Sequence, residues 1–144
     1  MRVWPAVAWL MACLSCAVHA GAATCSVGIV GVVFGTYNTL SGQSLDGAGS
    51  VSVTCDVTDS FMIALSSGHG SFAARQLQDG AISMVYNLYT DAQRSIIWGD
   101  GTSGTTTVSG GATSATFTVY GRIPGGQNLG AGTYSDTINV TLEF

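Results

Sequence analysis

"YSDTINVTLEF", residues 134–144, alternates strictly in its second half: Ile138, Val140, Leu142 and Phe144 fall on one side, Thr137, Asn139, Thr141 and Glu143 on the other. A side-chain period of two is the signature of a strand with one face buried and one wet. The same period recurs upstream. "SVSVTCDV" (50–57) puts Val51, Val53, Cys55 and Val57 together, "AISMVYNLYT" (81–90) does so for Ile82, Met84, Tyr86 and Leu88, and "SATFTVYG" (114–121) for Ala115, Phe117 and Val119. "VGIVGVVF" (27–34) is apolar on both faces, and "FMIALS" (61–66) is a shorter run of the same kind. No segment longer than a turn or two carries a 3.6-residue apolar period.

Between these runs lie clusters of turn formers, "SGQSLDGAGS" (41–50), "SSGHGS" (66–71), "GDGTSGT" (99–105), "SGGATS" (109–114) and "IPGGQNLGAG" (123–132). Short strands punctuated this often predict an all-β sandwich or small barrel. Because the last residue falls inside a strand pattern, the closing strand is expected to belong to the core.

The N-terminus reads as an export signal. Met1 and Arg2 precede an apolar stretch from Val3 to Val18, and small residues follow at Ala20, Gly21, Ala22 and Ala23. The apolar run is too short for a membrane span. Cleavage fits after Ala20 or after Ala22; the expected division is a leader over 1–22 and a single domain over 23–144. Leu10 to Cys13 forms a partial lipobox, but Met11 stands where a small residue is needed, so Cys13 and Cys16 are read as part of a discarded segment. The exported chain keeps Cys25 and Cys55. In an oxidising compartment two such cysteines pair; the competing reading is a free thiol nucleophile, which needs a base, and the only histidine of the exported part is His69 in "SSGHG".

Charge narrows the function. Without Arg2, three arginines face eight acidic residues, a net charge of −5, and there is no lysine. That excludes the basic footprint of a nucleic-acid binder. With 47% apolar residues and few charges the chain is not a disordered one. Catalytic motifs are missing. "GTSGT" (101–105) lacks the spacing of a serine elbow; no H-E-x-x-H, C-x-x-C or phosphate loop occurs in the exported part; "DGAGS" and "DGTSG" lack the ligand alternation of a calcium loop. No enzyme, cofactor or metal is expected. The aromatic, amide and acidic residues of "YNLYTDA" (86–92) and "WGDG" (98–101) are read as core anchors (Tyr86, Trp98) and turn caps (Asp91, Asp100) rather than as a ligand patch.

Those two segments, with "CSVGIVGVVFGTY" (25–37), "VTC" (53–55), "YGRIP" (120–124) and "GTYSDTINVTLEF" (132–144), together resemble the spore coat protein U domain family, which also holds the Csu-type subunits of archaic chaperone-usher pili. The likeness spans nearly all of the exported chain. It rests on the joint order of Tyr86, Asn87, Tyr89, Asp91, Trp98, Gly99, Asp100, Gly101, Tyr120, Gly121, Arg122, Pro124 and Tyr134.

The resemblance implies an incomplete immunoglobulin-like sandwich of about seven strands, whose missing strand is lent by a periplasmic chaperone and then replaced, at an outer-membrane usher, by a segment of the neighbouring subunit. It implies that Cys25 and Cys55 match the family's cysteine pair. It places Ile138, Val140, Leu142 and Phe144 at the chaperone or donor-strand contact, with the Phe144 carboxylate as an anchor. Polymerising subunits of this kind carry a donor segment ahead of the first cysteine, whereas Gly21 to Thr24 span no more than about 14 Å and offer no large apolar group. The expectation is therefore a tip or capping subunit that accepts a strand and gives none, exported to the periplasm, pilus or cell surface with a role in adhesion and biofilm formation, and with no membrane insertion. The alternative is a free-standing secreted or coat-associated structural protein.

Overall fold

A computed structural model of the protein describes residues 22–144. Residues 1–21 of the expected leader, the partial lipobox and Cys13 and Cys16 lie outside the described residues. Eight strands follow in order: β1 (Cys25–Val33), β2 (Leu45–Cys55), β3 (Ser60–Leu65), β4 (Arg75–Asp79), β5 (Ile82–Tyr89), β6 (Val108–Gly111), β7 (Ser114–Ile123) and β8 (Val140–Glu143). They form two sheets, one of five strands in the order β1-β2-β7-β5-β4 and one of three in the order β6-β3-β8, and every pairing between them is antiparallel. This is the all-β, incomplete sandwich that the resemblance implies.

The core follows from the alternation. Val51, Val53 and Cys55 of β2 are buried while Ser52 and Thr54 turn outward, and Phe61, Ile63 and Leu65 of β3 meet them from the other sheet. Phe117 of β7 packs edge-to-face on Phe61 (centroids 6.1 Å apart), which joins the two sheets near one end.

Two strands escape the sequence patterns. β4 (RQLQD) and β6 (VSGG) carry too few apolar residues to show a period; they exist because β5 and β3 offer them backbone partners. One expected strand is shorter than its pattern. Of residues 134–144 only Val140–Glu143 pair, with Met62 to Leu65 of β3. Ser135 instead exchanges both backbone hydrogen bonds with Gln78 beside β4 (2.8 and 3.0 Å), so residues 136–139 cross from one sheet to the other. A chain that changes sheets has to leave the ladder, whatever its alternation.

Candidate functional site

The two sheets do not close on each other along one flank. β1 is paired only with β2, and β8 only with β3; the opposite edges of both strands have no strand partner among the described residues. Between them the inside of the sandwich is open. Ile29 of β1 lies opposite Val51 of β2 in the register, on the same face, yet Val51 is 1% exposed and Ile29 59%. Cross-strand partners on one face of a finished sandwich share one environment. The difference means that Ile29 lacks a neighbour on its outer side.

The opening is a groove with two chambers. A smaller one, ≈ 210 Å³, lies between Ile29 and Val30 of β1 and Ile138 and Val140 on the facing wall. A larger one, ≈ 850 Å³, continues past it over Leu77, Met84, Ile123 and Leu129. Val32, Phe34, Leu77 and Asp136 line both. Phe34 reaches this position because β1 leaves its register with β2 between Val30 and Val33 and dips over glycines: a Cβ at Gly121 would collide with the Phe34 ring and with Val32, and one at Gly47 would meet the Val33 carbonyl. The ring rests edge-on against Tyr86, with centroids 5.9 Å apart.

The other wall is held by side chains in place of a ladder. The carboxylate of Asp136, with its side chain 1% exposed, accepts from Tyr86 Oη (2.5 Å) and Thr137 N (2.8 Å), and from the His69 amide (3.1 Å) and His69 Nδ1 (2.8 Å). Burial alone would raise this carboxyl, but the hydrogen bonds from Tyr86, His69 and Thr137 outweigh it and hold it below the ordinary carboxylate range. Burial, with the Asp136 bond, drives the Tyr86 hydroxyl well above its usual value. His69 is thus no free loop residue: its ring ties the 66–70 turn to the groove wall. Ser66 adds two bonds to the same wall, from its amide to the Asn139 carbonyl (3.0 Å) and from Asn139 N to its Oγ (2.9 Å).

Behind this wall Arg75 is fully buried. It donates to the Ser66 carbonyl (3.1 and 2.8 Å), the Trp98 carbonyl (2.7 Å) and Asn87 Oδ1 (2.7 Å), and its guanidinium lies 5.5 Å from the centre of the Phe72 ring. Desolvation lowers its pKa. The cation is tolerated because its donors meet oxygens.

Of the residues singled out in the sequence, the structure brings Ile138, Val140, Tyr86, Gly121 and Tyr134 to the groove or its floor. Leu142 is half-buried further along β8, and Phe144 is 56% exposed beyond it. The others lie elsewhere. Trp98 is buried and donates to the Ile63 carbonyl (3.0 Å); Gly99 packs on Thr105. Asp91 accepts from Ser95 and Ile96 amides and Asp100 from Thr102, the turn caps read from the sequence, and those bonds, the Ser95 and Thr102 side chains first, lower both carboxyls; Gly101 continues that turn at φ 87°. Arg122 makes a two-point ion pair with Asp46 (2.7 and 2.9 Å) beside Arg94, which stacks on Tyr120 at 5.7 Å, and Tyr120 faces Tyr89 across β7 and β5. The Pro124 carbonyl accepts from Tyr37 Oη (2.9 Å).

Cys25 and Cys55 face each other in the β1–β2 register and are joined by a disulfide (S–S 2.03 Å). Among the described residues no three His, Cys, Asp or Glu side chains come close enough to hold a metal, and no helix is long and apolar enough to cross a membrane. Sequence reasoning missed Phe34, Arg75, Asp136 and Gln127, whose amide pairs with both backbone groups of Val85 (2.7 and 2.9 Å). No local signal marked them: Phe34 stands in an apolar run, Gln127 and Asp136 among polar or glycine residues, and Arg75 between Ala74 and Gln76.

Known proteins resemble this chain. A solved chain from the CsuC–CsuE chaperone–tip adhesion subunit pre-assembly complex of the archaic chaperone-usher Csu pili of Acinetobacter baumannii superposes with a TM-score of 0.62 over 85% of this chain at 21% identity, a likeness of fold; this chain spans 40% of that one's length. Protein U of Myxococcus xanthus is 39% identical over 126 residues, which cover 77% of this chain and 70% of that protein. A family model described as the Spore Coat Protein U domain matches residues 11–141, and with that match beside the 39% identical relative the chain belongs to the spore coat protein U domain family.

Proposed function

We infer that this chain is an exported structural subunit of a chaperone-usher type surface fibre, and that its groove accepts a β-strand, first from a periplasmic chaperone and then, through an outer-membrane usher, from a neighbouring subunit. One observation carries the reading: Ile29 is 59% exposed while its cross-strand partner Val51 is 1% exposed, as expected of a sandwich face from which one strand is missing. Free backbone edges on both sides supply hydrogen-bonding groups for an added strand, and the apolar chambers supply side-chain pockets. An unfilled groove of this kind is an aggregation hazard, which gives a chaperone its role.

Within this reading residues 1–22 are the leader that takes the domain of 23–144 to the periplasm. Ile138, Val140, Leu142 and Phe144 form the contact for chaperone and donor. The subunit sits at the tip or cap of the fibre, at the cell surface, where it serves adhesion; the fold shared with a complex that contains a tip adhesion subunit supports that placement. The Protein U likeness favours a second reading, a coat-associated structural protein outside any fibre.

Periplasmic co-expression with the chaperone of an archaic chaperone-usher system separates the two. A fibre subunit co-purifies with the chaperone in equal amount and is degraded or aggregated without it. A chain that accumulates folded and monomeric alone, and ignores the chaperone, overturns the fibre reading in favour of the coat one. Mixed with a polymerising subunit, a tip or cap shortens the polymers; a long homopolymer of this chain alone ends that placement.

A further inference from the structure

Away from the groove, we propose that the outer face of the five-stranded sheet is a second binding surface, and that its ligand is a neutral polysaccharide. The register sets this face. Because Val51, Val53 and Val119 are buried, the even-numbered positions of β2 and β7 turn outward, and three rows run across the strands: Ser26, Thr54 and Ser114; Gly28, Ser52 and Thr116; Val30, Ser50 and Thr118. None of these side chains is charged, and all but Gly28 and Val30 end in a hydroxyl. Only Ser26 and Ser52 donate to the protein, to the Thr54 and Gly28 carbonyls (3.4 and 3.3 Å); the remaining hydroxyls have no protein partner among the described residues. Gly28 makes room for this, since a Cβ there would lie 2.5 Å from Ser52 Oγ.

The rows end on a polar corner. Tyr120 and Tyr89 are cross-strand partners in the next row, and beyond them Arg122 holds Asp46 through Nε and Nη2. Tyr37, Tyr86 and Tyr134 give their hydroxyls to protein oxygens, whereas the hydroxyls of Tyr89 and Tyr120, and Nη1 of Arg122, meet none among the described residues. Arg94 fixes the corner. It sits in the left-handed region (φ 58°), where a side chain brings strain, in a turn that Asp91 caps, and this carries its guanidinium over the Tyr120 ring. Hydroxyls, phenols and a neutralised ion pair offer donors and acceptors side by side, and a polyol chain offers the same in return. Other partners fit worse. A lipid surface needs an apolar or basic face, a second copy of this chain would bury little apolar area here, and an acidic polymer is repelled by an exported chain with three arginines to eight acidic residues. Each hydroxyl contact gains little against water. Affinity has to come from repetition, with groups about 4.7 to 4.9 Å apart within a row and rows about 6.6 to 6.8 Å apart, and it grows with the length of the ligand.

Native electrophoresis in gels cast with polysaccharide tests this, on the exported chain as purified, free or chaperone-bound. Hydroxyethylcellulose, galactomannan and dextran serve as neutral polymers and alginate as the acidic one. At least one neutral polymer should retard the protein, and its long fractions more than its short ones. Thr116→Glu with Thr118→Glu should weaken the apparent affinity by about tenfold or more, and so should Thr116→Val with Thr118→Val, which keeps the side-chain shape and strand preference; Tyr120→Phe should weaken it by about threefold. Ser109→Glu, exposed on β6 of the other sheet, should change nothing. Every variant should still co-purify with the chaperone, so loss of retardation and loss of strand acceptance are read apart. If no neutral polymer retards the protein, or if alginate retards it more than any of them, the proposal is overturned. Retardation that survives both Thr116 and Thr118 pairs overturns the assignment to this face.

Discussion

The two flanks of this sandwich end in opposite states. On the closed flank Trp98 is 0% exposed and its Nε1 donates to the Ile63 carbonyl. On the open flank Ile29 and Val30 stand more than half exposed beside a core of valines. What differs is whether a strand or loop of the same chain lies alongside, and the open flank shows apolar surface that this chain leaves for something else to cover.

Breaking the closed flank should have the largest effect. Trp98→Ala removes a buried ring and its hydrogen bond and is expected to cost about 3–5 kcal/mol, enough to unfold a domain of this size; urea unfolding measures it. Next comes the staple that holds β1 against β2. The Cys25–Cys55 disulfide closes a separation of 30 residues, so Cys25→Ala with Cys55→Ala should lose about 3–4 kcal/mol. Intact mass with and without reduction should differ by two labelled thiols, and labelling of unreduced protein would break the assignment.

The wall of the open flank is expected to be less sensitive and more selective. Val140 is half-buried towards the groove and Thr141 exposed. Val140→Asp should destabilise by about 2 kcal/mol and block partner binding, Thr141→Asp by less than about 0.5. Equal effects would mean a wrong register for β8.

Acid probes the same wall. The Asp136 carboxyl is held below its unfolded value, so the folded state binds fewer protons there than the unfolded state. Its contribution is complete above the unfolded value near 3.8 and is lost as pH falls through the lower, folded one. Stability of the wild type should therefore decline below about pH 4, and Asp136→Asn should be less stable at neutral pH but flatter in that window. The smallest effect is expected at Ile29. Ile29→Ala in the lone chain should cost less than about 1 kcal/mol because the side chain is mostly wet already, yet it should cost clearly more in a strand-filled complex; the contrast sharpens the difference between the flanks into a number.

Much of this was legible beforehand. Alternation located β5, β7 and the second half of β2, the apolar run 61–66 marked β3, and the half-buried positions of β8 follow the even-numbered apolar face; the first half of β2 reads as turn from its residues. β4 and β6 were not legible, since a short polar edge strand owes its existence to its neighbour. The tie of His69 to Asp136 was not legible either, because the two are 67 residues apart and no local pattern reports such a pair. Phe34 looked like one more apolar residue in a run. Its place at the mouth of two chambers depends on where β1 leaves its register and on glycines in β2 and β7.

By itself the sequence determined that the chain is all-β, that its faces alternate, and that its acidic, lysine-free composition is no nucleic-acid binder, because period and charge are local or additive properties. Only the tertiary structure decided that β1 and β8 stand apart, that residues 136–139 leave the ladder to change sheets, and that Phe34 and Asp136 line the same two chambers. A missing neighbour leaves no mark on the residues that lack it; it is visible only once every strand that is present has been placed.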